Sequence, residues 1–240
     1  MSLAIVDVSY WQSGLDFSRL KASNENLAGA ICRASHGDSA DSTFLGFMAQ
    51  LDGLDLLMGA YHYIEGSGVD IEVARFLSQV KPYLGRCILC LDWERTANAM
   101  WGHNDYLESF IKEIIRRTGV LPLVYASAAD FPHEICERNN LGKWVAQYAT
   151  VSVANGFQDV PWNEGAYACA IRQYSGNGRL SGYDGAIDLD KAYMDVDAWG
   201  RYANPDGVIN GSGNDVENSD NDYIELEFAG TVKITKDSLT

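Results

Sequence analysis

The amino-acid sequence predicts an α/β fold: a mainly parallel sheet whose strands alternate with helices and close into a barrel, with few helices in the last third. Three observations predict it. Short apolar runs alternate with segments of helical periodicity over the first two-thirds of the chain. Those runs are apolar throughout, as in strands covered by helices on both faces. Eight such runs fall within 240 residues, about the size at which an α/β barrel forms one domain. An open doubly wound sheet is the alternative architecture.

In chain order, Leu3–Val8 reads as the first strand, 16–21 as a short helix and 29–34 as the second strand. Residues 42–54 carry Phe44, Phe47, Met48 and Leu51 at helical spacing. Leu57–Tyr63 is a third strand, followed by a helix over 69–83 that closes near Pro82. Residues 86–92 form a fourth strand. The helix over 105–117 carries Leu107, Phe110, Ile111, Ile114 and Ile115 on one side, and Gly119 stands where a helix-terminating glycine belongs. Residues 121–126 form a fifth strand. After it the spacing shortens: 143–148, 168–174 and 185–189 are strand-like, and the helices between them are short or absent.

From residue 204 to 222 the chain is rich in Gly, Asn, Asp and Ser, which is linker composition. The expected organisation is a barrel domain over 1–202, an acidic linker over 203–222, and over 223–240 a short strand-like tail or truncated module. Seven acids run from Asp206 to Glu227 with no basic residue among them.

Eighteen Lys and Arg against thirty-three Asp and Glu give a net charge of −15. Such a chain repels phosphate backbones and anionic membrane surfaces, so neither nucleic acid nor membrane is expected as a partner. There is no run of about 18 apolar residues to span a bilayer. The N-terminus meets Asp7 at once and lacks a basic segment, so it does not read as a signal peptide and synthesis in the cytoplasm is expected. The five cysteines, Cys32, Cys87, Cys90, Cys136 and Cys169, are too few and odd in number for a disulfide scaffold. Cys87 and Cys90 make a C-x-x-C inside an apolar strand rather than at a helix start, so all five read as core packing.

In barrels and open sheets of this class ligands bind at the C-terminal ends of the strands. There the sequence sets Asp7 with Trp11 and Gln12, then Arg33, Tyr61 and Tyr63, Asp92 and Glu94, Tyr125, Tyr148, Gln173 and Tyr174, and Asp188. Rings stack on sugar faces, while carboxylates and amides bond hydroxyls. Glycoside hydrolysis needs an acid for the leaving oxygen and a second carboxylate. Asp92 and Glu94 carry this most sharply. At i and i+2 on an extended strand they project to one face, with α-carbons ~6.5–7 Å apart. One ionised carboxylate then raises the pKa of the other, and Trp93 would add an apolar wall. Rim carboxylates holding Mg²⁺ or Ca²⁺ are a competing reading, but no calcium-binding loop motif appears and the four histidines lack ligand spacing. His62, between two tyrosines, reads as a core histidine. No nucleotide-binding glycine motif is present, and no cofactor or metal is expected.

The stretches Asp7-Val-Ser-Tyr-Trp-Gln12, Arg33-Ala-Ser35, Gly59-Ala-Tyr-His-Tyr63, Leu91-Asp-Trp-Glu94, Pro122-Leu-Val-Tyr125, Trp144-Val-Ala-Gln-Tyr148, Gln173-Tyr-Ser175 and Asp188, in this order, resemble the family 25 glycoside hydrolases. These are lysozymes that act as N-acetylmuramidases. The resemblance implies an irregular TIM-like barrel of five β/α units followed by three further strands. It implies cleavage of the β-1,4 bond between N-acetylmuramic acid and N-acetylglucosamine in peptidoglycan, with no obligate protein partner. It places the acid/base on Glu94 and its partner on Asp92, which would orient or stabilise the charged intermediate. Asp7 and Asp188 become the other acids of the cleft, and Tyr61 lines it. Where the family pattern often has Asn two residues after the last acid, this chain has Asp190, which leaves Asp188 and Asp190 open between them. The missing leader fits a phage endolysin, or a longer form that is exported to the wall. A non-catalytic carbohydrate-binding protein and a hydrolase of another N-acetylglucosamine polymer, such as chitin, are the rival functions.

Overall fold

In the structure, a computed structural model describing residues 2–204, eight strands close into a barrel. They are β1 (Leu3–Val8), β2 (Leu27–His36), β3 (Leu57–Tyr63), β4 (Cys87–Asp92), β5 (Leu123–Ser127), β6 (Lys143–Ala146), β7 (Ile171–Arg179) and β8 (Ile187–Ala192). They pair in chain order, and β8 returns to β1. That closing pair excludes the open sheet. Two-residue strands at Ser39–Ala40 and Ala154–Asn155 attach to β2 and β7.

Neighbours from β1 to β7 run parallel, but β8 is antiparallel to both β7 and β1. The mainly parallel sheet expected from the sequence is found, with β8 alone reversed among the eight barrel strands. The link over residues 180–186 is too short for a crossover, which needs a dozen residues or more, so β7 and β8 form a hairpin. The site at the barrel mouth therefore takes its residues from the start of β8, not its end.

The helices are α1 (Phe17–Ser23), α2 (Phe44–Gly53), α3 (Val69–Val80), α4 (Asn104–Thr118), α5 (His133–Arg138) and α6 (Val196–Ala203). Asp16 caps α1, its Oδ1 accepting the N–H groups of Ser18 at 2.8 Å and Arg19 at 3.1 Å. Gly119 ends α4 with φ 71°, a left-handed backbone that glycine adopts at no steric cost, and donates to the Ile115 carbonyl at 2.7 Å. No described helix is long and apolar enough to cross a membrane.

Strand alternation splits the core in two. Val6, Cys32, Ala60, Leu89 and Val124 face outward onto Phe47, Phe76, Phe110 and Ile114 of the helices. Ile5, Ile31, Ile88, Cys90, Leu123, Trp144 and Ile171 fill the barrel itself. Gly59 faces that interior, where a Cβ would come within 2.8 Å of Ile31 Cγ1 and 3.1 Å of Ile88 Cγ1. Helix α6 plugs the bottom: Trp199 is buried in the inner core and its indole N–H donates to the Met58 carbonyl at 3.1 Å. The same alternation puts Cys87 outside and Cys90 inside, so this C-x-x-C cannot meet itself. It also turns Trp93 outward, its ring 5.5 Å from that of Trp101; it does not wall the Asp92–Glu94 pair.

Ala203 and Asn204 belong to α6 and its cap rather than to a linker. The rest of the linker and the tail, 205–240, lie outside the described residues.

Candidate active site

The mouth of the barrel gathers inward-facing side chains from most of the eight strands. Asp7, one residue before the end of β1, stands opposite Asp188 at the start of β8. The carboxyls of Asp188 and Asp190 both act on that of Asp7. Asp7 Oδ2 accepts from Gln173 Nε2 at 2.6 Å. The other end of that amide, Gln173 Oε1, accepts the phenol of Tyr125 at 2.8 Å and that of Tyr148. Two phenols thus fix the amide, and the amide fixes Asp7.

Asp92 closes β4 and is buried; its Oδ1 has no hydrogen-bond partner among the described residues. Glu94 follows two residues later, half-buried. The N–H of Trp93 donates to the Tyr125 carbonyl at 2.9 Å, so the ladder continues past Asp92 and alternation sends Glu94 inward. Burial, then the charge of Glu94, then that of Asp7, hold the Asp92 carboxyl well above its ordinary value, while Arg33 pulls it down. Burial raises Glu94. Burial, the charge of Asp190 and contact with it raise Asp7 well above the usual range. Asp188 is pushed up to about 9 by burial and by Asp7. Burial takes Asp190 to about 8 against hydrogen bonds from Asp7 and Trp144. None of the ion pairs among the described residues involves Asp7, Asp92, Asp188 or Asp190. The floor of the mouth is therefore a cluster of buried acids whose carboxyls are all held above the ordinary range.

Around this floor stand the other residues read from the sequence. Tyr61 is buried edge-on to the Trp144 ring at 6.1 Å. Tyr63 is half-buried, and its hydroxyl donates to the Thr96 carbonyl. Arg33 Nε pairs with Asp41 at 2.8 Å, and its guanidinium lies 4.9 Å from the Tyr10 ring. Trp11 is 72% exposed, its ring 4.4 Å from Tyr10, and offers a flat apolar face on the loop after β1.

Two expected binding residues do not offer their side chains to the mouth. Tyr174 follows Gln173 on β7, so alternation turns it to the outer core, where its hydroxyl accepts the Gln158 N–H at 3.1 Å. Gln12 is engaged by the backbone: its Oε1 accepts the Ser9 N–H at 3.0 Å and its Nε2 donates to Ala186 at 3.3 Å. It pins the first loop to the β7–β8 hairpin. His62 is buried, as read, between Ser35 Oγ at 2.8 Å and Glu72 at 2.8 Å.

Two residues of the site were given no role in the sequence reading. Asp41 holds Arg33, and Trp144 donates its indole N–H to Asp190 at 2.8 Å. Asp190 itself was left open beside Asp188; its i+2 spacing on a strand is the feature that puts it on the same inner face. Among the described residues no group of three His, Cys, Asp or Glu is disposed to hold a metal ion. A cavity of about 1040 Å³ lies at the opposite end, lined by α4, α6 and the start of β6, and no carboxylate lines it.

Comparison with known proteins agrees with this arrangement. The profile described as "Glycosyl hydrolases family 25" matches residues 6–183. A relative from Escherichia coli K12, described as "Uncharacterized protein YegX", is 27% identical over 192 residues, covering 77% of this chain and 67% of that protein. The bacterial lysozyme from Streptomyces coelicolor shares the fold with a TM-score of 0.68 at 20% identity, over 84% of this chain and 97% of the lysozyme. A family 25 glycosyl hydrolase from Bacillus anthracis superposes with a TM-score of 0.65 at 21% identity, over 84% of this chain and 93% of the other.

Proposed function

The chain belongs to glycosyl hydrolases family 25, and from that premise we propose that it is a muramidase. It cleaves the β-1,4 bond between N-acetylmuramic acid and N-acetylglucosamine in bacterial peptidoglycan. The observation that carries the reading is the Asp92–Glu94 pair, inward-facing at the end of β4, beside Asp7 and Asp188.

Glu94, held above the ordinary carboxyl range by burial, gives its proton to the glycosidic oxygen as the C1–O bond breaks. Asp92, next to it, steadies the positive charge that develops at C1, or orients the N-acetyl group that attacks there. A water then delivers hydroxide to C1 and returns its proton to Glu94, which restores the starting state. The charge of Glu94 helps to raise Asp92, and where two carboxyls interact in this way the proton that the reaction needs belongs to the pair. Tyr61, Tyr63, Tyr125 and Tyr148 line the mouth, and Trp11 gives a sugar-stacking face at its edge.

Mass spectrometry of digested peptidoglycan tests the reading. Fragments should carry N-acetylmuramic acid at the new reducing end. Reducing N-acetylglucosamine would assign the other bond, and no fragment at all would remove the hydrolase.

A further inference from the structure

We propose that Asp190 is a positioning residue for Asp7, gripping its carboxyl from beneath the floor of the mouth through a shared proton. The inference rests on the reading of Asp7 as an acid of the cleft. It concerns what holds that acid in place.

Asp190 is fully buried one layer below the mouth, opposite Ile5 in the β1–β8 register. Its Oδ1 takes the indole N–H of Trp144 at 2.8 Å. Trp144 is itself buried, with the Tyr125 ring 4.6 Å away and the Tyr61 ring 6.1 Å away, so the direction of that N–H is fixed. Asp190 Oδ2 is buried and has no donor among the described residues. Asp7 is its diagonal neighbour on the same inner face, two residues along β1 from the Ile5 that Asp190 pairs with, and the two carboxyls act on each other.

Two carboxyls in contact away from water do not both ionise; one proton between them makes a short charge-assisted bond. Asp7 is then held on two sides, by the Gln173 amide at 2.6 Å and by Asp190 below. A single rotamer remains to it, and the acid faces the substrate in one orientation. Besides Asp7 and Asp188, the titratable groups within electrostatic range of Asp190 are Cys90 on β4, Tyr148 beyond β6 and Tyr174 on β7. Burial raises the thiol and both phenols, so they stay neutral and the aspartates alone trade the proton.

The test uses the full 240-residue chain with ¹³C-labelled aspartate carboxyls, Asp7 being assigned by the signal lost in Asp7→Asn. In Asp190→Asn a like charge disappears and an amide N–H takes the place of the proton, so Asp7 should titrate at least about one pH unit lower. On soluble wall fragments, Asp190→Leu should lower kcat at least about tenfold with KM little changed, because misplacing a reacting group costs rate before binding. Asp190→Asn, which keeps the donor, should recover most of that loss. A titration of Asp7 that does not move in Asp190→Asn overturns the proposal, as does a Leu variant that keeps the parent kcat. If the Leu chain fails to fold, the titration in the Asn chain decides alone. If the parent chain releases no wall fragments, the proposed function falls, while the titration still decides whether Asp190 and Asp7 share a proton.

Discussion

Glu94 is half-buried, and its carboxyl is raised by burial. Glutamine is nearly isosteric there and has no proton to give. Glu94→Gln should therefore lower kcat by about 10²–10⁴, the range for loss of a general acid, without loss of the folded state. Lytic rates and a thermal melt check both halves, and more than half the parent rate would remove Glu94 from the role. Asp92 is the deeper and more strongly raised of the pair, and Glu94 contributes to that raise. An ionised neighbour holds a proton on its partner. Removing the neighbour in Asp92→Asn lowers the upper apparent pKa of the pair. The alkaline limb of the pH–rate profile should move to lower pH in the residual activity; an unmoved limb would show the two groups uncoupled. At this scale the sequence was informative because period-two alternation is a local rule. It put Asp92 and Glu94 on one face, and the same rule, applied one residue further, turns Trp93 and Tyr174 away.

Helix α6 shows how an element acts at a distance from the chemistry. Its eight residues carry Trp199 into the bottom of the barrel, where the indole is buried and bonded to Met58. Trp199→Ala removes both the packing and the plug, and should cost about 3–5 kcal/mol in a denaturant titration. A loss below about 1 kcal/mol would mean that other side chains seal the barrel. The sequence did not disclose α6 or α5, because short helices owe their stability to tertiary packing rather than to propensity. The strands and helices α2, α3 and α4 were legible because their apolar faces are long enough to show a period.

For the molecule as a whole the buried acids set the response to pH. An unfolded Asp titrates near about 3.9. In the folded chain Asp188 and Asp190 are pushed up to about 9 and about 8, and Asp7 and Asp92 are also raised. Between those limits the folded state binds more protons than the unfolded one, so its stability falls as pH rises. The contribution is complete below about pH 4 and is lost towards pH 9. Glu72 and Glu113 work in the opposite sense, since their carboxyls are held low, Glu113 at about 2, and their contribution fades as the medium turns acidic. The Tm should therefore peak in mildly acidic buffer and decline towards pH 9, and Asp188→Asn should flatten the decline. A Tm that is level from pH 5 to 9 would show that the floor acids ionise freely.

The sequence by itself determined the strands that carry the site and the acids at their ends. Alternation and helical spacing are one-dimensional properties, visible wherever an element is long enough to repeat them. The ordered rim motifs, from Asp7 to Asp188, also marked out the family. Only the tertiary structure decided the direction of β8, which follows from the seven residues over 180–186 and from the β1 edge that they let it reach. That reversal brings Asp188 to the mouth opposite Asp7 and leaves Asp190 one layer beneath, under Trp144. It was also tertiary structure that spent Gln12 on the backbone and gave Gln173 to Asp7. Partners 174 and 166 residues apart along the chain have no local pattern to announce them. Which polar atom a side chain meets is set by how the barrel closes.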